Sequence, residues 1–267
     1  MEYRNIGFIG AGNMASAVIF SLFNNSDGEI EMFAYDVDTE KCEELTKYGV
    51  TVCESPQHLV KSVDIIVLAV KPQTYEKVLE DIKGYAEQEQ IIVTMAAGIS
   101  TDYIKKGLGF DCKVVRIMPN TPLLLGCGAI AICGCPRVTD SELEFVTELF
   151  SSCGIVESVD ESDMNKIISV NGSSPAYVYL FAKAVIQGAV KQGIDADVAE
   201  RLFLQTLAGS TRMMTETDYS IDELIKMVAS PGGTTLKAIE SLDDNHFGGI
   251  IFKAMEACTN RAEELKK

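Results

Sequence analysis

Residues 5–15 read NIGFIGAGNMA, and the reading of this stretch decides the fold. The first six residues form a short apolar run ending in glycine, and a helical pattern follows as far as Phe23. Gly10-Ala11-Gly12-Asn13-Met14-Ala15 is the G-x-G-x-x-A form of the dinucleotide fingerprint. Gly10 permits a tight turn, Gly12 lets backbone approach a pyrophosphate, and Ala15 lets the helix pack closely on its strand. The helix start then offers unpaired N–H groups to phosphate. By itself the motif is also compatible with a glycine turn in another α/β protein; its context, strand before and helix after, favours the cofactor reading.

Further strand-like runs follow: EIEMFAYD (29–36), DIIVLAV (64–70) and QIIVTMA (90–96). They are bounded by turn or polar residues, as strands buried on both faces should be. Helical segments such as TYEKVLEDIKGYA (74–86) lie between them. This alternation predicts a parallel sheet wound on both faces. KVVRIMP (113–119), GAIAICG (128–134) and GIVESV (154–159) add strands, with a helix near 140–152. Beyond Val159 no strand-like run appears. The expectation is therefore an α/β chain with a Rossmann-like dinucleotide-binding domain over residues 1–159 and an all-helical domain over 160–267.

Composition narrows the function. The chain has 267 residues, 47% hydrophobic and 23% charged, and a formal net charge of −16. That acidity argues against a surface that tracks nucleic-acid phosphates. It does not argue against a nucleotide held by backbone donors. No basic segment leads into an apolar signal core at the start, and the run from Ala176 is interrupted by Lys183, so the expectation is a cytoplasmic protein with reduced thiols and no membrane span. Cys127, Cys133 and Cys135 cluster in CGAIAICGC, but without a paired Cys-x-x-Cys or a nearby histidine they read as small strand hydrophobes rather than metal ligands. In the helix from Ala176 the polar positions Lys183, Gln187 and Lys191 leave one thin stripe, so a second copy of the chain is expected to bury its apolar remainder.

The first candidate site lies at the strand ends. Asp36, closing the second strand, would accept ribose hydroxyls and repel a 2′-phosphate, which tilts the cofactor toward NAD(H). Its alternative is to cap the helix of TEKCEEL, a role open to Asp38 as well. Ala69-Val70-Lys71-Pro72 and Ala96-Ala97 close two further strands, where open α/β sheets bind ligands. The small alanines would lie against a flat nicotinamide. Lys71 would reach phosphate or ribose, or remain a solvated loop lysine.

The second site lacks an obvious acid or base. His58 reads as a surface turn and His246 as a linker residue, so a substrate needing little proton traffic from the protein is expected, and a C=N bond fits. SPGGTT (230–235) breaks a helical region with proline and two glycines, and two threonines stand where the helix resumes. A helix start of this kind suits a small carboxylate: Ser230 and the Thr234 and Thr235 amides would grip it, and the Thr235 hydroxyl would bond the substrate nitrogen. Its alternative is a capped helix after a tight turn. NGSSPAY (171–177), with Ser173 before Pro175, offers a similar combination or a plain cap.

These residues resemble a family. GFIGAGNM, AVKP, AAGI, MPNTP (118–122), NGSSPAY and SPGGTT stand in the order of the motifs of pyrroline-5-carboxylate reductase, from about residue 6 to the C-terminal helix. The resemblance implies reduction of the cyclic imine 1-pyrroline-5-carboxylate to L-proline with NADP(H) or NAD(H), the last step of proline biosynthesis. It implies a Rossmann domain followed by a helical dimerisation domain, a homo-oligomer, and an active site completed by a second subunit. It assigns the carboxylate to Ser230, Gly233 and Thr234 with Ser173 nearby, the ring nitrogen to Thr235 as the catalytic contact, and adds Asn120 of MPNTP to the cofactor set. Two positions depart from the pattern: Asn171, where members usually carry serine or another small residue, and Asp36, where many NADPH-preferring members carry a neutral or small one. A β-hydroxyacid dehydrogenase is the enzymatic alternative, with Lys166 or Lys183 as its lysine, and a non-catalytic dinucleotide-binding protein is the other.

Overall fold

The computed structural model describes residues 3–25 and 29–266. Its sheet contains eight strands among these residues: β1 Asn5–Ile9, β2 Glu31–Tyr35, β3 Thr51–Val52, β4 Ile65–Leu68, β5 Ile91–Thr94, β6 Lys113–Met118, β7 Gly128–Gly134 and β8 Gly154–Ser158. They lie in the order β3-β2-β1-β4-β5-β6-β7-β8. The chain leaves β1 toward one edge and returns at β4 to build toward the other, so the topological reversal falls between β1 and β4. Helices α1 Asn13–Asn25, α2 Thr39–Leu45, α3 Pro56–Ser62, α4 Tyr75–Ile82, α5 Thr101–Leu108 and α6 Asp140–Ser151 connect the strands.

The central strands are buried along their whole length, β4, β5 and β6 without an exposed residue. Two apolar clusters flank the sheet. One gathers Phe8, Val18, Ile65, Val93 and Phe150, the other Ile9, Leu59, Ile66, Leu79 and Ile104. Alternate residues of one strand feed opposite clusters, the period-two geometry that doubly wound sheets require.

Two features of the sheet differ from expectation. The sheet is not wholly parallel: β7 runs antiparallel to β6, with Arg116 opposite Cys133. Only nine residues separate the end of β6 from the start of β7, filled by a 3-10 turn over Thr121–Leu125. A parallel return needs a longer crossover, and so the chain reverses. β3 is a two-residue strand, too short for a periodicity to reveal. By packing, the described residues form two compact units. One comprises the chain to Pro175 together with the segment from Cys258 onward, and the other is Ala176–Ala257. Residues past Val159 fold as α7 Met164–Ile167 and a π-helical turn over Ile168–Gly172. Met164 and Ile168 bury themselves against Met118, Ala131 and Cys133 of the sheet, and Ala262 joins them from the C-terminal helix. Hydrophobic burial therefore holds both segments to the first unit.

The second unit is helical: most of α8 Ser174–Lys191, then α9 Ala196–Glu216, α10 Ile221–Val228, α11 Thr234–Asp244 and the start of α12 Phe247–Glu264. Asp195 caps α9 through the Val198 amide, and Ser220 with Glu223 forms a reciprocal capping box on α10. Little of this unit is covered by its own chain. On α8 only Ala182 is buried, while Val178, Tyr179, Leu180 and Phe181 are exposed. No helix among the described residues is long and apolar enough to cross a membrane.

Candidate active site

At the carboxyl end of β1 the fingerprint turn is locked from both sides. The Gly10 amide donates to the Tyr35 carbonyl of β2 at 2.8 Å, and the Ala69 amide donates to Ile9 of β1 at 2.9 Å. Gly10 adopts φ +102°, and a Cβ there would lie 2.8 Å from the Ala69 carbonyl oxygen. Both the left-handed backbone and the crowding require glycine. Ala15, fully buried in α1, packs onto the sheet core.

Donor accounting around this turn is informative. The Ala11 amide is used internally, donating to Asp36 Oδ2 at 2.8 Å. Asp36 Oδ1 accepts the Asp38 amide at 2.9 Å. Asp36 thus holds the fingerprint turn, and each of its oxygens has capacity for a further hydrogen bond. It does not cap α2, and neither does the side chain of Asp38, which pairs with Lys41 at 3.1 Å. Among the described residues the amides of Gly12, Asn13 and Met14 meet no acceptor, and a Cβ on Gly12 would meet no atom within 4 Å. Open space beside unpaired donors at a helix start fits the pyrophosphate of a dinucleotide.

The next two strand ends are joined from beneath by a residue that sequence reading passed over. Tyr75, fully buried at the start of α4, donates to the Leu68 carbonyl at 2.8 Å and meets Thr94 Oγ1 at 2.8 Å. Burial pushes its phenol well above the usual tyrosine range, so it stays a neutral brace. Above this brace stand Ala69, Val70, Lys71 and Pro72 after β4, and Ala96 and Ala97 after β5. The alanines are half-buried or buried, and Lys71 is exposed.

Asn120, after β6, has both ends of its amide engaged. Its Oδ1 accepts the Ala129 amide at 2.9 Å and its Nδ2 donates to the Asn171 carbonyl at 3.2 Å. Asn171, the departure from the family pattern, donates through Nδ2 to the carbonyls of Met118 and Ala129 at 2.6 and 2.9 Å. Its Oδ1 is buried without a partner. Asn171 therefore stitches the MPNTP loop to β7 and to the π-helical turn. Ser173 follows directly, its amide donating to Ile168 and its hydroxyl 3.2 Å from Cys258 Sγ.

In the second unit, Ser230, Gly233, Thr234 and Thr235 share one bend. Gly232 is left-handed at φ +75°, and the Gly233 amide closes onto the Ser230 carbonyl at 2.9 Å. Gly233 itself has ordinary extended dihedrals, φ −80° and ψ 166°. A Cβ there would lie 2.6 Å from Ser230 Oγ, so any side chain at 233 displaces that hydroxyl. The hydroxyl thus sits over the Gly233 Cα at the mouth of α11. No side chain caps this helix, and no acceptor meets the Thr234 or Thr235 amide among the described residues. The capped-helix alternative is not what forms.

The remaining candidates stand apart from this chemistry. His58 is on the exposed face of α3 rather than in a turn, and His246 is exposed between α11 and α12 with φ 56°. Lys166 pairs with Asp163 at the surface at 2.6 Å. Cys133 in β7 and Cys135 just after it are buried, Cys127 is exposed, and all eight cysteines are free thiols.

Comparison with known proteins identifies the family and the fold. The family described as pyrroline-5-carboxylate reductase dimerisation matches residues 161–265, and that described as NADP oxidoreductase, coenzyme F420-dependent, matches residues 5–98. The chain is 34% identical to the pyrroline-5-carboxylate reductase of Escherichia coli K12 over 268 residues, covering 99% of each. It is 33% identical to that of Aquifex aeolicus, covering 97% of each. Among solved structures it is similar to a pyrroline-5-carboxylate reductase from Coxiella burnetii, with TM-score 0.93, 33% identity and full coverage of both chains. It is also similar to a Plasmodium falciparum pyrroline carboxylate reductase with NADP bound, with TM-score 0.88, 31% identity and full coverage of both chains.

Proposed function

This chain belongs to the pyrroline-5-carboxylate reductase family, and on that premise we propose that its strand-end crevice and its Ser230–Thr235 bend perform the family's reduction with the residues named above. The reaction is reduction of 1-pyrroline-5-carboxylate to L-proline, with a nicotinamide dinucleotide as reductant. Bound, the reduced nicotinamide supplies a hydride to the C=N carbon.

The chain's own residues bind and orient. The amides of Gly12, Asn13 and Met14 hold the pyrophosphate, Asp36 faces the ribose, and Ala69–Pro72 with Ala96–Ala97 form the walls. Lys71 contributes charge at the rim. Asn120 fixes the loop after β6 through its two protein bonds. At the bend, Ser230 Oγ and the Thr234 and Thr235 amides take the carboxylate, a charge-assisted arrangement at a helix start. Thr235 Oγ1 then meets the ring nitrogen. An imine arrives protonated, and hydride addition neutralises its charge, so no oxyanion needs stabilising and neither histidine is required. Holding both partners fixed converts an encounter into a near-attack geometry.

The observation that carries this reading is the placement of Ser230 Oγ against the Gly233 Cα beside uncapped α11 amides. Structural donors left unpaired at a helix start favour an anion. Loss of NADH or NADPH absorbance on addition of pyrroline-5-carboxylate, with proline identified as product, is the expected result; no oxidation of either dinucleotide overturns it. Asp36 makes NADH at least as good a substrate as NADPH, because its carboxylate, anchored by the Ala11 and Asp38 amides, faces the place a 2′-phosphate would occupy. The match to the dimerisation family, together with the exposed Val178, Tyr179, Leu180 and Phe181 of α8, supports a homodimer or larger homo-oligomer. Light scattering that finds a monomer overturns that part.

A further inference from the structure

A charged residue interrupts the apolar run of β6. Arg116 is only 3% exposed, flanked by Val115 and Ile117. Burial lowers its pKa, opposed by Cys133, Glu161 and Glu263. A guanidinium in such a place must be compensated or it destabilises the fold by several kcal/mol. Its compensation comes from sequence-distant segments. Arg116 Nη2 donates to Asn165 Oδ1 at 2.7 Å, and Asn165 Nδ2 donates to Glu263 Oε1 at 2.9 Å. Arg116 Nη1 lies 3.8 Å from Glu161 Oε1. Glu161 in turn accepts the amide and the hydroxyl of Thr101, both at 2.8 Å.

The two outer ends of this network bracket one loop. Thr101 opens α5, directly after the loop 95–100. On the other side, the C-terminal segment following Glu263 reaches Gly98, where a Cβ would lie 2.8 Å from the Leu265 carbonyl oxygen. Gly98 is left-handed at φ +76°. The loop therefore has the Leu265 backbone against one face and Glu161 on its exit.

We propose that Glu263 and Asn165, relayed from Arg116, are positioning residues that press the C-terminal segment against Gly98 and so set the Ala96–Ala97 wall of the nicotinamide site. This assignment rests on the reading of Ala96–Ala97 as that wall. Residues 263–265 thus act on the cofactor site through the loop they press.

The test uses Glu263→Ala, Glu263→Gln and a chain ending at Glu264, each compared with the wild type. Glu263→Gln keeps an oxygen for Asn165 Nδ2, so loop exchange and NADH binding should stay as in the wild type, while loss of the charge near Arg116 lowers the melting temperature. Glu263→Ala and the shortened chain should expose the amides of residues 95–101 to faster hydrogen exchange in the cofactor-free protein. They should also weaken NADH binding on the order of fivefold by nicotinamide fluorescence, with the KM for the imino acid unchanged. In Glu263→Ala or the shortened chain, lowered thermal stability without a change in loop exchange or NADH binding would overturn the proposal, as would equal loss of loop protection or NADH binding in Glu263→Gln. A wild-type chain that binds NADH but reduces no pyrroline-5-carboxylate would overturn the proposed reaction, while loop exchange and NADH titration would still decide the role of Glu263.

Discussion

Replacing Gly233 with alanine isolates the Ser230 hydroxyl. The backbone at 233, φ −80° and ψ 166°, accepts any residue, so the substitution strains no dihedral. The new Cβ would fall 2.6 Å from Ser230 Oγ and 3.1 Å from the Ser230 carbonyl oxygen. The hydroxyl ends a short side chain on an exposed bend and can rotate away; the carbonyl distance needs a shift of only tenths of an ångström. Alanine is a poorer helix N-cap than glycine, a cost of about 1 kcal/mol, or about 2–4 °C in Tm for a chain of this size. Activity should suffer more. A hydrogen bond to a charged group is worth about 1.5–3 kcal/mol, so displacing Ser230 Oγ from the carboxylate lowers kcat/KM by about 10- to 150-fold. Steady-state kinetics on Gly233→Ala, Ser230→Ala and the double variant make the test internal. If alanine at 233 acts by evicting the hydroxyl, the double variant is no worse than Ser230→Ala within about twofold. Multiplying losses, or full activity in Gly233→Ala, would refute the assignment of Ser230 to the substrate.

Thr235→Val should retain its melting temperature, since no protein partner of the Thr235 hydroxyl is found among the described residues, yet lose about tenfold or more in kcat/KM, while Thr235→Ser retains most of it; kinetics beside thermal melts decide. Asp36→Ser should raise the ratio of kcat/KM for NADPH over NADH by about tenfold, while weakening both because the Ala11 amide loses its acceptor; steady-state comparison of the two dinucleotides checks it. Glu142 gives a pH signature. Burial raises its pKa, but Lys113 at 2.7 Å, Tyr3 at 2.6 Å and the Thr139 cap outweigh burial and hold it at about 2, against an ordinary 4.5. A depressed carboxylate stabilises the fold above its unfolded pKa, and that contribution is lost as pH falls from about 4.5 toward about 2. Denaturant titrations of Glu142→Gln should therefore show lower stability at neutral pH and a shallower decline across that window than the wild type.

The amino-acid sequence determined whatever depends on near neighbours. Gly10 and Gly12 between a strand and a helix, the buried runs at 65–68 and 91–94, and the Pro-Gly-Gly bend at 231–233 are local statements written in dihedral preference and periodicity. β7 was visible as a strand, but its direction was not, because side-chain alternation is the same whichever way a strand runs. Asp36 stood out by its position after β2; that both its oxygens hold backbone amides depended on how the turns after β1 and β2 approach each other. Arg116 is a charge within the apolar run of β6, and nothing near it in sequence names Asn165 or Glu263 as its partners.

Those pairings were left to the tertiary structure, as was the boundary between the compact units. Patterning alone ends the first domain at Val159, where strands stop. Burial groups the chain up to Pro175 with the residues after Cys258 in one compact unit, because Met164, Ile168 and Ala262 cover Met118, Ala131 and Cys133. Hydrophobic burial is non-directional and carries no record of sequence separation, so a helix can begin in one core and end in another. Which core claims each end is decided only when the chain is packed.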